Sequence, residues 1–203
     1  EALDPVRFLS NHSSGKMGFA LAQAFQAAGA RVYVVAGPVA LKLEDGGFQV
    51  QRVTTATEMY TAAKDLHEQM DVIVFAAAVA DFRPESPATQ KIKKQGEELP
   101  LRLVPNVDIA YELGKIKKEG QIHVGFALET EQEEAHAKAK LVRKNFDLIV
   151  LNSATEEGVG FKHDTNKVRI FHKNGKDLET ALLPKLDIAG LIVEEVKKAT
   201  AWS

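Results

Sequence analysis

Asp71-Val72-Ile73-Val74-Phe75-Ala76 is an unbroken apolar run of strand length, left through a string of small residues, Ala77-Ala78-Val79-Ala80. A strand with no polar face is buried on both sides. Such strands lie inside parallel sheets whose two faces are covered by helices. The rest of the chain supplies those helices. Met17, Ala20, Leu21, Ala24 and Phe25 recur at helical spacing over 16–29, with Gly29 as a stop. Residues 55–69 repeat the pattern, with Met59, Ala62, Ala63 and Leu66 inside. Arg31–Val35, Phe48–Val53, His123–Ala127 and Asp147–Leu151 read as strands, and Asn106–Lys117, Glu131–Arg143 and 185–199 as helices. Alternating strands and helices imply a Rossmann-like, doubly wound α/β fold with a mainly parallel sheet, here one domain over 1–203. Two hairpins are expected as edge additions. One pairs Lys91–Lys94 with Leu99–Val104, after a loop over Asp81–Gln90. The other pairs Lys167–His172 with Asp177–Leu182 around Asn174-Gly175.

Composition narrows the chemistry. A formal net charge of −2 argues against nucleic acid or an anionic membrane surface as the main partner. The chain has no cysteine, which excludes a disulfide scaffold, a cysteine nucleophile and a thiolate metal site. No apolar run nears the roughly 18 residues of a membrane span, and the first residues lack a signal peptide's basic start and apolar core. A cytoplasmic enzyme is the expectation.

Four stretches fall at the ends of strands, where open α/β sheets bind ligands. Ser10–Gly18 opens the first helix. A helix N-terminus presents unpaired N–H groups to phosphate, and Gly15 and Gly18 let a ligand approach the backbone. It is neither a Walker A loop nor GxGxxG, and alone it reads more readily as a helix capped by Ser13 or Ser14. Ala76–Pro84 leaves room beside the most apolar strand. Asp81 there can accept from a ligand or bind Mg²⁺, or be a plain turn residue. Gly125–Thr130 holds Phe126, a base-stacking candidate or a core side chain, and Lys140 and Lys144 share a face of the next helix. Asn152 ends a strand before the Gly158–Phe161 loop and can bind a ligand or cap the segment after it. Lys91-Ile92-Lys93-Lys94 on a hairpin can close over polyphosphate or merely guard an edge. The histidines show no paired metal spacing.

Taken in order, Asp4-Pro5-Val6-Arg7-Phe8-Leu9-Ser10-Asn11-His12-Ser13-Ser14-Gly15-Lys16-Met17-Gly18 resembles the opening signature of the phosphopantothenoylcysteine synthetases. Ala77–Asp81, Lys91–Lys94, Gly125–Thr130, and Gly160-Phe161 with Asp164-Thr165-Asn166, resemble that family's later motifs. The resemblance implies a ligase of coenzyme A biosynthesis joining 4′-phosphopantothenate to cysteine. The substrate carboxylate attacks the α-phosphate of CTP (ATP in other members), and the cysteine amine then displaces the nucleotide from the acyl group. It implies Mg²⁺ as cofactor, a homodimer, and frequent fusion to a flavin-dependent decarboxylase.

By the same resemblance, Asn11 holds the acyl intermediate, and Ser13, Gly15 and Gly18 lie at the nucleotide phosphates. Ala77, Ala78 and Asp81 line a site shared by nucleotide and pantothenate, with Asp81 the candidate metal ligand. Lys91 closes over the phosphates during activation. Val107, Asp108, Ile109, Ala110, Phe126, Lys140 and Lys144 contact the nucleotide. Arg7 reaches the substrate phosphate of a neighbouring subunit. The family's first strand and its Gly-Gly-Thr loop would stand before Glu1, so one central strand is expected to lie outside this sequence. Val107 stands where bacterial relatives often have proline, and Asn152-Ser153 where Asn-Asp is common. Two other readings compete. An NAD(P) oxidoreductase needs an acid at the second strand's end, where this chain has Ala36-Gly37-Pro38. A non-catalytic nucleotide-binding module needs neither Asn11 nor Lys91.

Overall fold

The computed structural model describes residues 1–41, 47–94, 96, 98–129, 131–153 and 163–199. Gly160 and Phe161 lie outside these. In chain order the elements are α1 (Lys16–Ala27), β1 (Tyr33–Ala36), β2 (Gln49–Arg52), α2 (Ala56–His67), β3 (Val72–Phe75), β4 (Phe82–Pro84), β5 (Leu103–Pro105) and α3 (Ile109–Lys115). They continue with β6 (Ile122–Glu129), α4 (Glu133–Arg143), β7 (Leu148–Ser153), β8 (Thr165–Asn166), β9 (Val168–His172), β10 (Asp177–Glu179), β11 (Leu183–Pro184) and α5 (Lys185–Ala199). The central sheet has the order β10-β9-β7-β6-β3. Its β3, β6 and β7 run parallel, and β9 and β10 extend it antiparallel. The fold is the expected α/β type with a mainly parallel sheet.

Side chains on β6 and β7 alternate between two apolar clusters, as a period of two requires. Val124, Leu148 and Val150 face one way, into a core with Leu21 and Phe25 of α1 and Ile188, Ile192 and Val196 of α5. Ala127, Ile149 and Leu151 face the other, into a core with Ala137 and Leu141 of α4, Phe146 and Phe171. Gly125 has a packing reason: a Cβ there would stand 2.1 Å from the Phe146 ring. Among the described residues no helix is long and apolar enough to cross a membrane.

The β9–β10 hairpin forms at the sheet edge where the Asn-Gly turn placed it. The other hairpin differs from its expectation. Phe82–Pro84 pairs with Leu103–Pro105 as a separate two-stranded sheet, and Lys91–Lys94 is not a strand. The Lys-Ile-Lys alternation suggested one, but the Ile92 N–H donates to Asp4 Oδ2 at 3.0 Å and its carbonyl accepts from Arg7 at 2.7 Å. Two backbone groups committed to side chains cannot join a ladder. Pro84 and Pro105 are tolerated because their strands are both edges.

Among the described residues β1 pairs only with β2, in parallel, and β3 ends the central sheet. The two strands line one cleft of about 1170 Å³ along their whole length and do not pair with each other. Backbone groups alternate along a strand. The carbonyls of Val32 and Ala36 accept from the β2 side, and that of Asp71 from β6. Tyr33 and Val35, with Val72 and Val74, therefore turn their backbone groups into the slot.

At the opposite end of the sheet, His67 and His123 are fully buried, ring centroids 5.4 Å apart. The Gln121 amide donates to the carbonyls of His67 (2.8 Å) and Met70 (2.7 Å), which leaves its Oε1 to face His123 Nε2 at 3.3 Å. His123 is thereby held as the neutral Nε2–H tautomer, with Nδ1 buried and unpartnered among the described residues. Burial, helped by Lys117 and the neighbouring His67 and opposed by Asp147, lowers its pKa to about 4. His67 is lowered by burial and Lys118, against Glu68. An unfolded histidine takes its proton near pH 6.5. Stability is therefore complete above that pH and is lost as pH falls toward 4, by up to ~3 kcal/mol for His123. In urea titrations from pH 7.5 to 4.5, His123→Gln is expected to flatten this fall; an unchanged pH slope would contradict the assignment.

Candidate active site

The first helix brings an unusual N-terminus to the cleft. Gly15 is its N-cap at φ +74°, with no capping side chain and no acid in the first turn. A Cβ on Gly15 would meet Val39 at 2.9 Å, so both conformation and space call for glycine. Ser13 and Ser14 do not cap α1, contrary to expectation. Their hydroxyls accept from the N–H groups of Gly15 (3.3 Å) and Lys16 (3.4 Å), two residues on, in turns that precede the helix. By contrast α2 carries a full capping box, Thr55 with Glu58, and α3 is capped by Asp108. The α1 end keeps its N–H dipoles facing the cleft, the arrangement suited to an anion.

The cleft draws together stretches far apart in sequence. Asn11, Ser13, Gly15 and Gly18 line it with Ala77, Ala78 and Asp81; Val107, Asp108, Ile109 and Ala110; and Phe126, Lys140 and Lys144. Phe126 packs on the first core as well, so the two readings of it coincide. Local bonds fix the walls. Asn11 Nδ2 donates to the Val79 carbonyl at 3.0 Å, joining the first loop to the loop after β3. Asn106 Nδ2 donates to the Ala80 carbonyl at 2.8 Å, and its N–H donates to that of Asp81 at 2.8 Å, joining that loop to the start of α3. Asn106 was not singled out from sequence; its place directly before Val107 was the only signal.

The lysines are not simply solvated. Lys140 Nζ stands 2.6 Å from Glu129, and Lys144 Nζ stands 2.8 Å from Asp108, which also faces Arg143. Lys16 pairs with Asp164 at 2.6 Å, and the Lys16 hydrogen bond and charge hold the Asp164 carboxyl below its ordinary pKa. Glu129, like Asn106, was visible only as part of a motif. Asp81 is exposed at the cleft, and the described residues contain no cluster of three or more His, Cys, Asp or Glu that could hold a metal. A single carboxylate suits Mg²⁺ that shares its coordination with substrate phosphates and water. Asn152 serves structure: its Oδ1 accepts from Asn166 Nδ2 at 2.8 Å. Arg7 and Lys91 do not line the cleft.

Residues 1–200 match the family described as the DNA/pantothenate metabolism flavoprotein C-terminal domain. The chain belongs to this family. A "Coenzyme A biosynthesis bifunctional protein CoaBC" of Bacillus subtilis (strain 168) is 45% identical over 97% of the chain and 48% of that protein. A "Cysteine/Cysteine sulfinic acid decarboxylase" of an unknown prokaryotic organism is 45% identical over 97% of the chain and 55% of that protein. The crystal structure of the C-terminal domain of a CoaBC protein superposes with a TM-score of 0.81 at 34% identity, covering 98% of this chain and 89% of that one. The chain spans about half the length of the curated relatives it matches.

Gly18 separates site from scaffold. A Cβ there would meet only Ala76, at an ordinary 3.9 Å. Gly18→Ala should leave the unfolding free energy unchanged or raise it by up to ~1 kcal/mol, since alanine favours a helix. Gly18 lines the cleft, so the same methyl should weaken the binding of a phosphate-bearing anion such as pyrophosphate there roughly tenfold, about 1.4 kcal/mol by calorimetry. Undiminished affinity would remove Gly18 from the site.

Proposed function

We propose that this chain is a phosphopantothenate–cysteine ligase acting through an acyl-cytidylate. The observation that carries the reading is the single cleft. It gathers the residues that the resemblance assigns to nucleotide and acyl group around an uncapped helix N-terminus and two lysines. In this reading the nucleotide phosphates lie against Gly15 and Gly18 and accept from the N–H groups of Met17 and Gly18, and Lys140 and Lys144 exchange part of their bonding from Glu129 and Asp108 to the nucleotide. Asp81, together with the phosphates, would hold Mg²⁺, which would supply positive charge toward the departing pyrophosphate. The 4′-phosphopantothenate carboxylate forms a bond to the α-phosphorus as the bond to pyrophosphate breaks. Asn11, already fixed against Val79, then orients the acyl group. The cysteine amine adds at the acyl carbon, CMP leaves with the bonding pair, and the amine proton passes to solvent. Orientation and charge stabilisation are the protein's main contributions. Lys91 stands outside the cleft, so it acts by a closing of the 91–94 segment together with the 4–7 turn bonded to it. Exposed Val6 and Phe8, on either side of Arg7 in the chain, and exposed Phe82 and Leu103 on the β4–β5 hairpin support a homodimer in which Arg7 serves the neighbouring cleft.

The slot between β1 and β3 supports one further component, a parallel apolar strand preceding Glu1 in the whole polypeptide. With that strand present, the amides of Tyr33, Val35, Val72 and Val74 should exchange with deuterium at least about a hundredfold more slowly than in residues 1–203 alone, as strand pairing requires. Equal exchange would leave the slot as a permanent groove.

The whole polypeptide should sediment as a dimer. Given CTP, Mg²⁺, 4′-phosphopantothenate and cysteine, it should release one pyrophosphate per product, faster than with ATP. Asn11→Asp and Lys91→Gln should each slow release by roughly a hundredfold, the scale of one lost positioned group. CTP binding without pyrophosphate release would make the chain a binding module. Faster turnover with ATP would reverse the nucleotide assignment, and an active monomer would exclude the shared cleft.

A further inference from the structure

Arg7 and Lys91 are the two cations that the ligase reading needs and the cleft lacks. They are far apart in sequence and joined in space by one residue, Asp4. Its side chain is completely buried, while that of Arg7 is 42% exposed and Lys91 is exposed. Oδ1 accepts from the N–H groups of Val6 and Arg7, both at 2.8 Å, and closes the turn locally. Oδ2 works at long range. It accepts from Arg7 Nε at 2.9 Å and from the Ile92 N–H at 3.0 Å. Arg7 completes the triangle by donating to the Ile92 carbonyl at 2.7 Å. The Ala88 N–H adds a bond to the Leu3 carbonyl at 2.9 Å.

From this geometry we infer that Asp4 is a positioning residue: one buried carboxylate sets where both Arg7 and Lys91 stand, and ties them into one cationic unit. The inference rests on the ligase reading, in which these cations meet phosphate. A clasp that served folding alone would not need its outer oxygen on Ile92, the residue beside Lys91, nor a guanidinium bridging to the same peptide. The layering also suits anion capture. The negative charge lies beneath and is fully satisfied, so it orients the cations and keeps distance from an approaching phosphate. Bonding to Arg7 and to the N–H groups holds the Asp4 carboxyl far below the ordinary carboxylate range, so the clasp stays ionised at any working pH.

A double-mutant cycle in the whole polypeptide tests this, with Asp4→Asn, Lys91→Gln and both together. Two readouts are followed: kcat and KM for pyrophosphate release, and calorimetric affinity for inorganic pyrophosphate. Asp4→Asn is expected to lower kcat roughly tenfold or more with little change in the KM for cysteine, and the loss in the double variant should fall well short of the product of the two single losses. Multiplying losses, or an Asp4→Asn kcat equal to wild type, would overturn the inference. If the wild type releases no pyrophosphate, the ligase reading fails. The affinity cycle then decides on Asp4, with non-additive losses supporting it and additive or absent losses overturning it. Thermal unfolding of each variant separates loss of fold from loss of position. Should Asp4→Asn fail to fold, wild-type hydrogen exchange decides: the Ile92 amide is expected to be protected well beyond that of Lys93, and equal rates overturn the clasp.

Discussion

Burial of β6 and β7 on both faces is the constraint on which the rest of the structure depends. A strand covered on both sides fixes its register, because a slip of one residue would exchange its two apolar sets. Val124, Leu148 and Val150 hold α1 and α5 on one side, while Ala127, Ile149 and Leu151 hold α4 on the other. With the helices fixed in this way, the α1 N-terminus, the loop after β3 and the start of α3 meet at one end of the sheet. The site is therefore made by packing, before any of its polar residues is considered. Gly125 shows how tight that packing is, since the Phe146 ring occupies the space a side chain would take.

Much of this was legible from residue order. The apolar run at 71–76 and the helical spacing around it implied the parallel sheet, and the Asn-Gly turn placed the β9–β10 hairpin. Ser13 and Ser14 misled as capping residues because a serine before a helix signals a cap whatever its actual bond. Only the backbone angle at Gly15 reveals that the cap is a glycine. Lys91–Lys94 misled because alternation is a property of the side chains. The backbone of Ile92 is instead claimed by Asp4 and Arg7, nearly ninety residues earlier in the chain. Such long-range bonds leave no local pattern. For the same reason Asn106 and Glu129 went unnoticed: each acts on a partner chosen by the fold.

Two lysines of the cleft stand in ion pairs, Lys140 with Glu129 and Lys144 with Asp108, and Lys16 in the first turn of α1 stands with Asp164. Partly exposed pairs of this kind add little to stability, on the order of 0–1 kcal/mol. Their effect is on what can enter. A single weak anion gains little by displacing a carboxylate already in place. A chelating polyanion that meets several lysines and a helix end together gains enough to share them.

The contrast among helix beginnings has a thermodynamic consequence. The α2 and α3 helices satisfy their first N–H groups with their own side chains, while α1 leaves its first turn without cap or acid. A glycine at the cap forgoes about a few tenths of a kcal/mol relative to a capping side chain. An anion seated there would restore the missing bonds, and only the folded chain presents that helix end. Occupancy and folding are then linked by mass action, so the concentration of the ligand helps determine how much of the protein is folded.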